Sequence, residues 1–543
     1  MIDSIKPNEW KRFIWAAVAC FVIYAAVQIG PMIAAIASGE MNTKVIEKSV
    51  AADAASAFVE KETGLKVKSA KAVHQTDKIM NGYLSKHELI KTYTDKYDAN
   101  FPTDTFQVDL KFIGGGSGFV YVHMQSGNIV AWNLKIDGQQ LSDDDKSKAA
   151  ITFLTNKKIS SIDFKENLIL PNGDWHAGNP TAAYTIDEAK LTIDVNALIV
   201  NDQTIISKYK PAFIAPSDYI SYVKKQDKIA GYLTSIGYLL MSFVLFVLAI
   251  IYAVLYRKHT SFKFGIVLTI VYLITYTIMN LNVLDGIRAT LGETEMAGAT
   301  VSVTAIISVL LAIPMAGSIY ISIIAGDGLW KAQGRALWPR FGQKGYGDYV
   351  WRSVGLSYLF AIILFAIQSV IFIALKLSIG TWETSDVSQS PYNMGILWLM
   401  PVLAWAAAIG EEAVFRFFGI GLFRKWFKNT FAAALLPTFF WALGHVMYPF
   451  YPSTTRLFEL MIIGLLFSFI FVRYGFITAM FTHAIFNSVA VGLSLLTIGT
   501  APNIISAIFF SVLPVLIAFV IKYLSHKKEK KPSMTTTPPL EQL

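Results

Sequence analysis

YLTSIGYLLMSFVLFVLAIIYAVL (232–255) runs for more than twenty positions without a charge. At about 1.5 Å per helical residue it is long enough to cross a hydrocarbon core roughly 30 Å thick. Working outward from it, comparable apolar runs lie at 13–36, 264–284, 298–325, 351–377, 393–420, 430–448, 457–472, 475–497 and 503–523. No soluble fold needs so many in series, and the composition agrees: 54% of the 543 residues are hydrophobic, 16% are charged and the mean hydropathy is +0.47. A soluble chain would carry about a quarter charged residues. The expected fold is mainly α: a polytopic helical membrane protein of about ten spans. The first run is longer than a signal-peptide core and no small-residue cleavage pattern follows it, so it reads as a retained anchor.

The net charge of +9 does not point to nucleic acid. Lys and Arg sit in short loops between apolar runs, where they set orientation. Lys6, Lys11 and Arg12 precede the first run; Arg257, Lys258 and Lys263 follow the second; Lys331, Arg335, Arg340, Lys344 and Arg352 surround the loop after the fourth. Arg424, Lys425 and Lys428, then Arg473, then HKKEKK (526–531) continue the alternation. The opposite loops hold only Arg288 and Arg456. Both termini are therefore expected in the cytoplasm, with the polar region 38–228 outside the cell. Cys20 is the only cysteine, which excludes an internal disulfide framework and a Cys-based metal site.

The region 38–228 reads as α+β. Residues 45–64 and 143–156 have helical spacing, and FQVDLKF (106–112), GFVYVHM (118–124), NIVAWNLKI (128–136), KLTIDVNALIV (190–200) and TIISKY (204–209) alternate as strands do. A helix followed by strands occurs twice, the pattern of a duplicated unit, and YVHMQSGNIVAWNL is similar to PepSY-type domains. The remaining divisions are 1–37 (first span), 229–380 (spans two to five), 381–500 (spans six to nine), 501–524 (last span) and 525–543, a charged, Pro- and Thr-rich tail expected to be disordered.

Ionisable residues inside apolar spans cost roughly 2.5–3.5 kcal/mol each on insertion scales and call for a function. They concentrate in the last third: Glu411, Glu412 and Arg416 in IGEEAVFRFFG, His445 in FFWALGHVMYP, and His483 with Asn487 in MFTHAIFNSV. Glu412 and Arg416 are four apart with the acid first, the favourable order for an ion pair. Glu411, rotated about 100° from Glu412, has no such partner in its own helix. His483 and Asn487 share a helix face. A free carboxylate, two imidazoles and an amide are thus set within the membrane, the residue types of general-base chemistry. Treated as straight spans, however, they do not share a depth: His445 falls about 9 Å nearer the outer face than the others.

EEAVFR (411–416) and HAIFN (483–487) resemble the EExxxR and HxxxN motifs of the CAAX-protease and bacteriocin-processing (CPBP, or Abi) family. WALGH (441–445) is similar to the family's FxxxH, with Trp441 where Phe is usual. The resemblance covers about 393–497. It implies an intramembrane endopeptidase acting on membrane-bound or membrane-proximal peptides, with membrane lipid as surroundings. In that reading Glu411 activates the water, Glu412 supports it while paired to Arg416, and His445 positions the water. His483 and Asn487 donate to the oxyanion. Glu411, His445 and His483 would also suit zinc or another divalent metal, so a metal-dependent and a metal-free route both stand. The rival readings are a non-catalytic immunity or scaffold member of the family and a proton-coupled transporter. GGGSG (114–118), HELIK (87–91) and AGDG (325–328) each lack a partner that their motifs require. Trp330, Trp338 and Tyr346 read as interface anchors, and His259 and His526 as structural histidines. The polar region could restrain or select substrates.

Overall fold

The computed structural model describes residues 6–37 and 44–529. Among them, eight helices are long and apolar enough to cross a membrane: Pro7–Ala37 (α1), Ser217–Leu255 (α6), Ala297–Ala332 (α9), Tyr346–Ile379 (α10), Leu397–Phe427 (α11), Thr455–Tyr474 (α13), Phe476–Ile498 (α14) and Ala501–Glu529 (α15). Ile266–Asn282 (α7) and Leu284–Thr290 (α8) make a pair bent by 42° that would count as a ninth. The tenth expected span is a correction. Residues 430–448 form only Thr430–Leu443 (α12), about 21 Å long at the helical rise and short of a full crossing. The tail boundary expected at 525 also moves, because α15 continues to Glu529. There Asp348 meets Lys522 and His526, and the Glu529 carboxylate accepts the Gly345 N–H. The final residues of the expected tail lie outside the described residues.

Between α1 and α6 stands a sheet domain. Its helices are Lys48–Thr63 (α2), Lys78–Lys86 (α3), Ile90–Lys96 (α4) and Asp143–Asn156 (α5). Its strands are Val67–Thr76 (β1), Asp104–Phe112 (β2), Ser117–His123 (β3), Ile129–Lys135 (β4), Gln139–Gln140 (β5), Phe164–Ile169 (β6), Trp175–Pro180 (β7), Thr185–Ile186 (β8), Ala189–Val200 (β9) and Gln203–Ile214 (β10). They form one sheet of order β1-β2-β3-β4-β10-β9-β7-β6, with β5 and β8 pairing β9. The two helix-then-strand runs are therefore joined edge to edge by the antiparallel β4–β10 pair, Lys208 opposite Asn133. α5 begins where its chemistry directs: Ser142 caps the Asp145 N–H, and three aspartates occupy the positive first turn.

Strand alternation separates the two faces of this sheet. Phe106, Val108, Leu110, Val120, Val122, Trp132, Leu134 and Tyr209 form a core with Ala51, Ala55 and Val59 of α2 and Ala150 and Leu154 of α5. The alternate residues are polar and dock on loops from the membrane helices. Gln107 donates to the Gly292 carbonyl, Arg288 pairs with Asp109 at 3.1 Å, and Tyr121, Asn133 and Lys210 all donate to Glu293. A two-stranded ribbon, Trp382–Glu383 (β11) with Phe450–Tyr451 (β12), adds Trp382 and Tyr451 to the sheet domain's core. No linker separates the domain from the next span, since α6 runs unbroken from one into the other through a π-helical stretch, Leu233–Leu240.

Candidate active site

Three helices bring the motif residues together. In α11 the α-helical part ends at Glu411, and Glu412–Ile420 is π-helical, a widening often found at functional sites. Adjacent residues on a helix must face different ways, and these two glutamates do. Glu412 is fully buried and points inward, where its Oε1 lies 2.8 Å from Nδ1 of His483 and 3.2 Å from Nη1 of Arg416. The Arg416 contact is close but not aligned as a hydrogen bond, and the guanidinium nitrogens have no hydrogen-bond partner among the described residues. A π-helical turn closes i to i+5, so an i,i+4 pair no longer stacks squarely. The cation rests instead between aromatic faces, 4.0 Å from the Trp441 ring and 5.5 Å from the Phe467 ring.

Glu411 turns to a less buried side. Its Oε2 accepts the indole N–H of Trp441 and lies 3.8 Å from Nε2 of His483; its Oε1 lies 3.9 Å from Nε2 of His445. The 9 Å offset in depth expected of His445 is therefore closed. Because α12 stops at Leu443, His445 sits in the turn beyond it rather than one turn along a full span. Its Nδ1 lies 3.0 Å from the Trp441 carbonyl. A carbonyl only accepts, so Nδ1 carries a proton, and in the neutral form of the ring Nε2 faces Glu411 as a lone pair. Nδ1 of His483, against a carboxylate, is a donor by the same reasoning. Asn487, one turn beyond His483, is half-buried and has no hydrogen-bond partner among the described residues.

Ligands held at 2.0–2.2 Å by one tetrahedral zinc would stand about 3.4 Å apart. Glu411 stands wider than that from both histidines, with Oε1 3.9 Å from His445 and Oε2 3.8 Å from His483, and no group of three His, Cys, Asp or Glu among the described residues is placed to hold a metal ion. The donors as placed do not fit one ion.

Several neighbours escaped the sequence reading. Tyr238 of α6 packs on Gly444, where a Cβ would stand 2.8 Å from the ring, so only glycine lets helix and tyrosine meet beside His445. Tyr448 stacks on the His445 ring at 5.5 Å, and Arg456 lies over Tyr448 at 5.2 Å. Arg456 pairs at 2.8 Å with fully buried Glu459, whose other oxygen accepts from Gln368. Glu459 stands inside an apolar run, so the intramembrane-charge rule could have found it. The strap from His445 to α13 is tied to the sheet domain's side of the molecule, through Tyr451 to Asp227 at 2.6 Å and Ser453 to Gln226 at 2.9 Å. Asp327 of AGDG is held by Arg340, Lys331 and Thr260, a structural use of that acid.

All six motif residues fall within 393–489, the stretch that matches the family model of type II CAAX prenyl endopeptidase Rce1-like proteins. Residues 393–489 are similar to that family. The match is in line with the CPBP resemblance of the three motifs. The chain is also 26% identical over 285 residues to the sporulation-killing factor biosynthesis protein SkfC of Bacillus subtilis (strain 168), covering 51% of this chain and 54% of that protein. It thus spans about half the length of that curated relative. No solved structure matches.

Proposed function

We propose that the protein is an intramembrane endopeptidase that hydrolyses membrane-bound or membrane-proximal peptides with a water activated by Glu411. The observation that carries this reading is the 3.9 Å gap between Oε1 of Glu411 and Nε2 of His445, two acceptors facing one another. A water there donates one hydrogen to each and turns its lone pairs outward. Glu411 takes the proton as the water oxygen bonds to the scissile carbonyl carbon. The oxyanion faces Asn487 and Nε2 of His483, which donates when the ring also carries the Nδ1 proton held on Glu412. As the C–N bond breaks, Glu411 passes its proton to the leaving nitrogen. Arg416 holds Glu412 in place and touches no reacting atom.

In this reading the sheet domain faces outward and both termini lie in the cytoplasm. Support comes from the basic residues of the loops assigned to the outward side: Arg288 and Arg456 are both absorbed in ion pairs, with Asp109 and Glu459. The likeness to a protein named for the biosynthesis of a killing factor supports a peptide to be matured as the substrate class. The route is metal-free, with zinc as the alternative.

The test is cleavage of membrane peptides by purified protein in lipid. Glu411→Gln should lower the rate by about 10²- to 10⁴-fold with folding intact, and a zinc chelator should leave wild type unchanged. Chelation that abolishes cleavage, with rescue by zinc, would replace the metal-free route. Wild type that cleaves nothing would return the scaffold and transport readings.

A further inference from the structure

We propose that Trp441 is a positioning residue of the peptidase site: its indole N–H holds one oxygen of the Glu411 carboxylate and leaves the other facing His445. The inference rests on the peptidase reading and concerns the position where this chain departs from FxxxH. A phenylalanine there fills space and stacks on Arg416, but it has no N–H to give. The Glu411 carboxylate has two oxygens and needs them to differ. Oε2 is engaged by the indole, whereas Oε1 has no hydrogen-bond donor among the described residues and confronts Nε2 of His445. With the donor removed, the carboxylate can rotate and a partly buried oxygen loses its partner.

The same residue touches the rest of the site. Its ring lies 4.0 Å from the Arg416 guanidinium, and its carbonyl accepts from Nδ1 of His445. The geometry at the end of α12 makes this possible. The last turn tightens, with Gly444 N–H donating to the Trp441 carbonyl and His445 N–H to the Ala442 carbonyl, which swings the imidazole round beneath Trp441. Room for the larger ring comes from α13, where a Cβ on Gly464 would stand 2.8 Å from the indole. The tryptophan therefore occupies a place shaped for it, between Gly464 on one side and Arg416 on the other.

The experiment uses the full chain in lipid vesicles. Trp441 is replaced by phenylalanine and, by nonsense suppression, by the benzothienyl isostere of tryptophan, which keeps shape and stacking but lacks the N–H. Both should lower kcat by about 10- to 100-fold, the cost of one hydrogen bond to a charged group; the isostere should leave KM and melting temperature unchanged, whereas phenylalanine, being smaller, should also lower the melting temperature. An isostere that keeps wild-type kcat while Glu411→Gln is inactive overturns the role of Trp441 and leaves the peptidase reading intact. So does an isostere that only lowers the melting temperature. A second readout needs no turnover. In protein labelled with ¹⁵N-tryptophan, Glu411→Gln should move the indole resonance assigned by Trp441→Phe more than that of any of the other tryptophans. An unmoved resonance overturns the proposal even if no substrate has been found.

Discussion

The sheet domain and the Rce1-like core use charge in opposite ways. In the core a few ionisable groups are buried outright: Glu412, Glu459 and Arg416 are at most 1% exposed. Glu412 and Arg416 sit against each other, with His483 on the acid and the Trp441 and Phe467 rings on the cation, and Glu459 sits against Arg456 and Gln368. The sheet domain carries many more charges in half-exposed pairs such as Lys78 with Asp227 and Lys71 with Asp285. Buried charges are hard to lose, because the partner left behind is uncompensated. Exposed pairs are screened and individually weak. The comparison predicts that damage per substitution falls with distance from the core.

The largest effect is expected at Glu412→Ala, which strands the Arg416 cation at full burial. A destabilisation of about 3–5 kcal/mol follows from breaking such a pair, measurable by SDS-induced unfolding in bicelles. A change under about 1 kcal/mol would mean that the aromatic faces alone hold Arg416. Asn487→Ala should behave in the opposite sense. Because Asn487 has no hydrogen-bond partner among the described residues, its loss should leave stability unchanged while kcat drops by about 10²- to 10³-fold, the usual effect of removing an oxyanion donor. If stability falls and kcat does not, Asn487 is a packing residue.

The same contrast explains what could be read from the chain. The core's candidate site residues stand out in the sequence because an intramembrane Glu, Arg or His is rare, and i,i+4 spacing ties Glu412 to Arg416. The meeting of His445 with Glu411 does not stand out, because a straight-helix reading of 430–448 hides the stop at Leu443. Trp441 read as bulk, since nothing in sequence says where an indole N–H points. In the sheet domain, β2, β3, β4 and β9 alternate and were visible. β1 (VKSAKAVHQT) and the edge strand β6 (FKENLI) were missed because neither alternates: β6 is exposed on both faces, and β1 passes from an exposed first half to Ala72, Val73 and His74, buried in succession. β10 runs on to Ile214 past Pro211, where a proline argues against a strand interior. Nor could the alternation say that the polar face docks on α8 and the loop after it rather than on water; that needs the partner in view.

Glu293 tests this docking at intermediate strength. Burial pushes its carboxyl up, but the Lys210 charge and the hydrogen bonds from Asn133, Tyr121 and Lys210 outweigh it and hold the group below the ordinary glutamate range. A depressed carboxyl contributes its stability above the unfolded value and loses it as pH falls through the folded one. Wild type should therefore lose attachment of the sheet domain as pH drops below about 4, read by limited proteolysis. Glu293→Ala should lose about 2 kcal/mol at neutral pH and show no further acid step from this group. An unchanged acid profile would assign the docking to its other contacts.

The smallest effect should come from Lys376 and Glu88, which also join the core to the sheet domain, at 3.0 Å, but with side chains 68% and 75% exposed. Geometry alone would rank this pair with the Glu293 contacts, since the distances are the same. Exposure ranks it lower, because water and salt screen both partners and two long side chains must be ordered to meet. A double-mutant cycle on Lys376→Ala and Glu88→Ala should give a coupling below about 0.5 kcal/mol that fades further in high salt. A coupling above about 1 kcal/mol that survives salt would show that the contact is sheltered by lipid headgroups or by closure of the domain, and burial in the isolated chain would no longer suffice to rank charges on the sheet-domain side of the molecule.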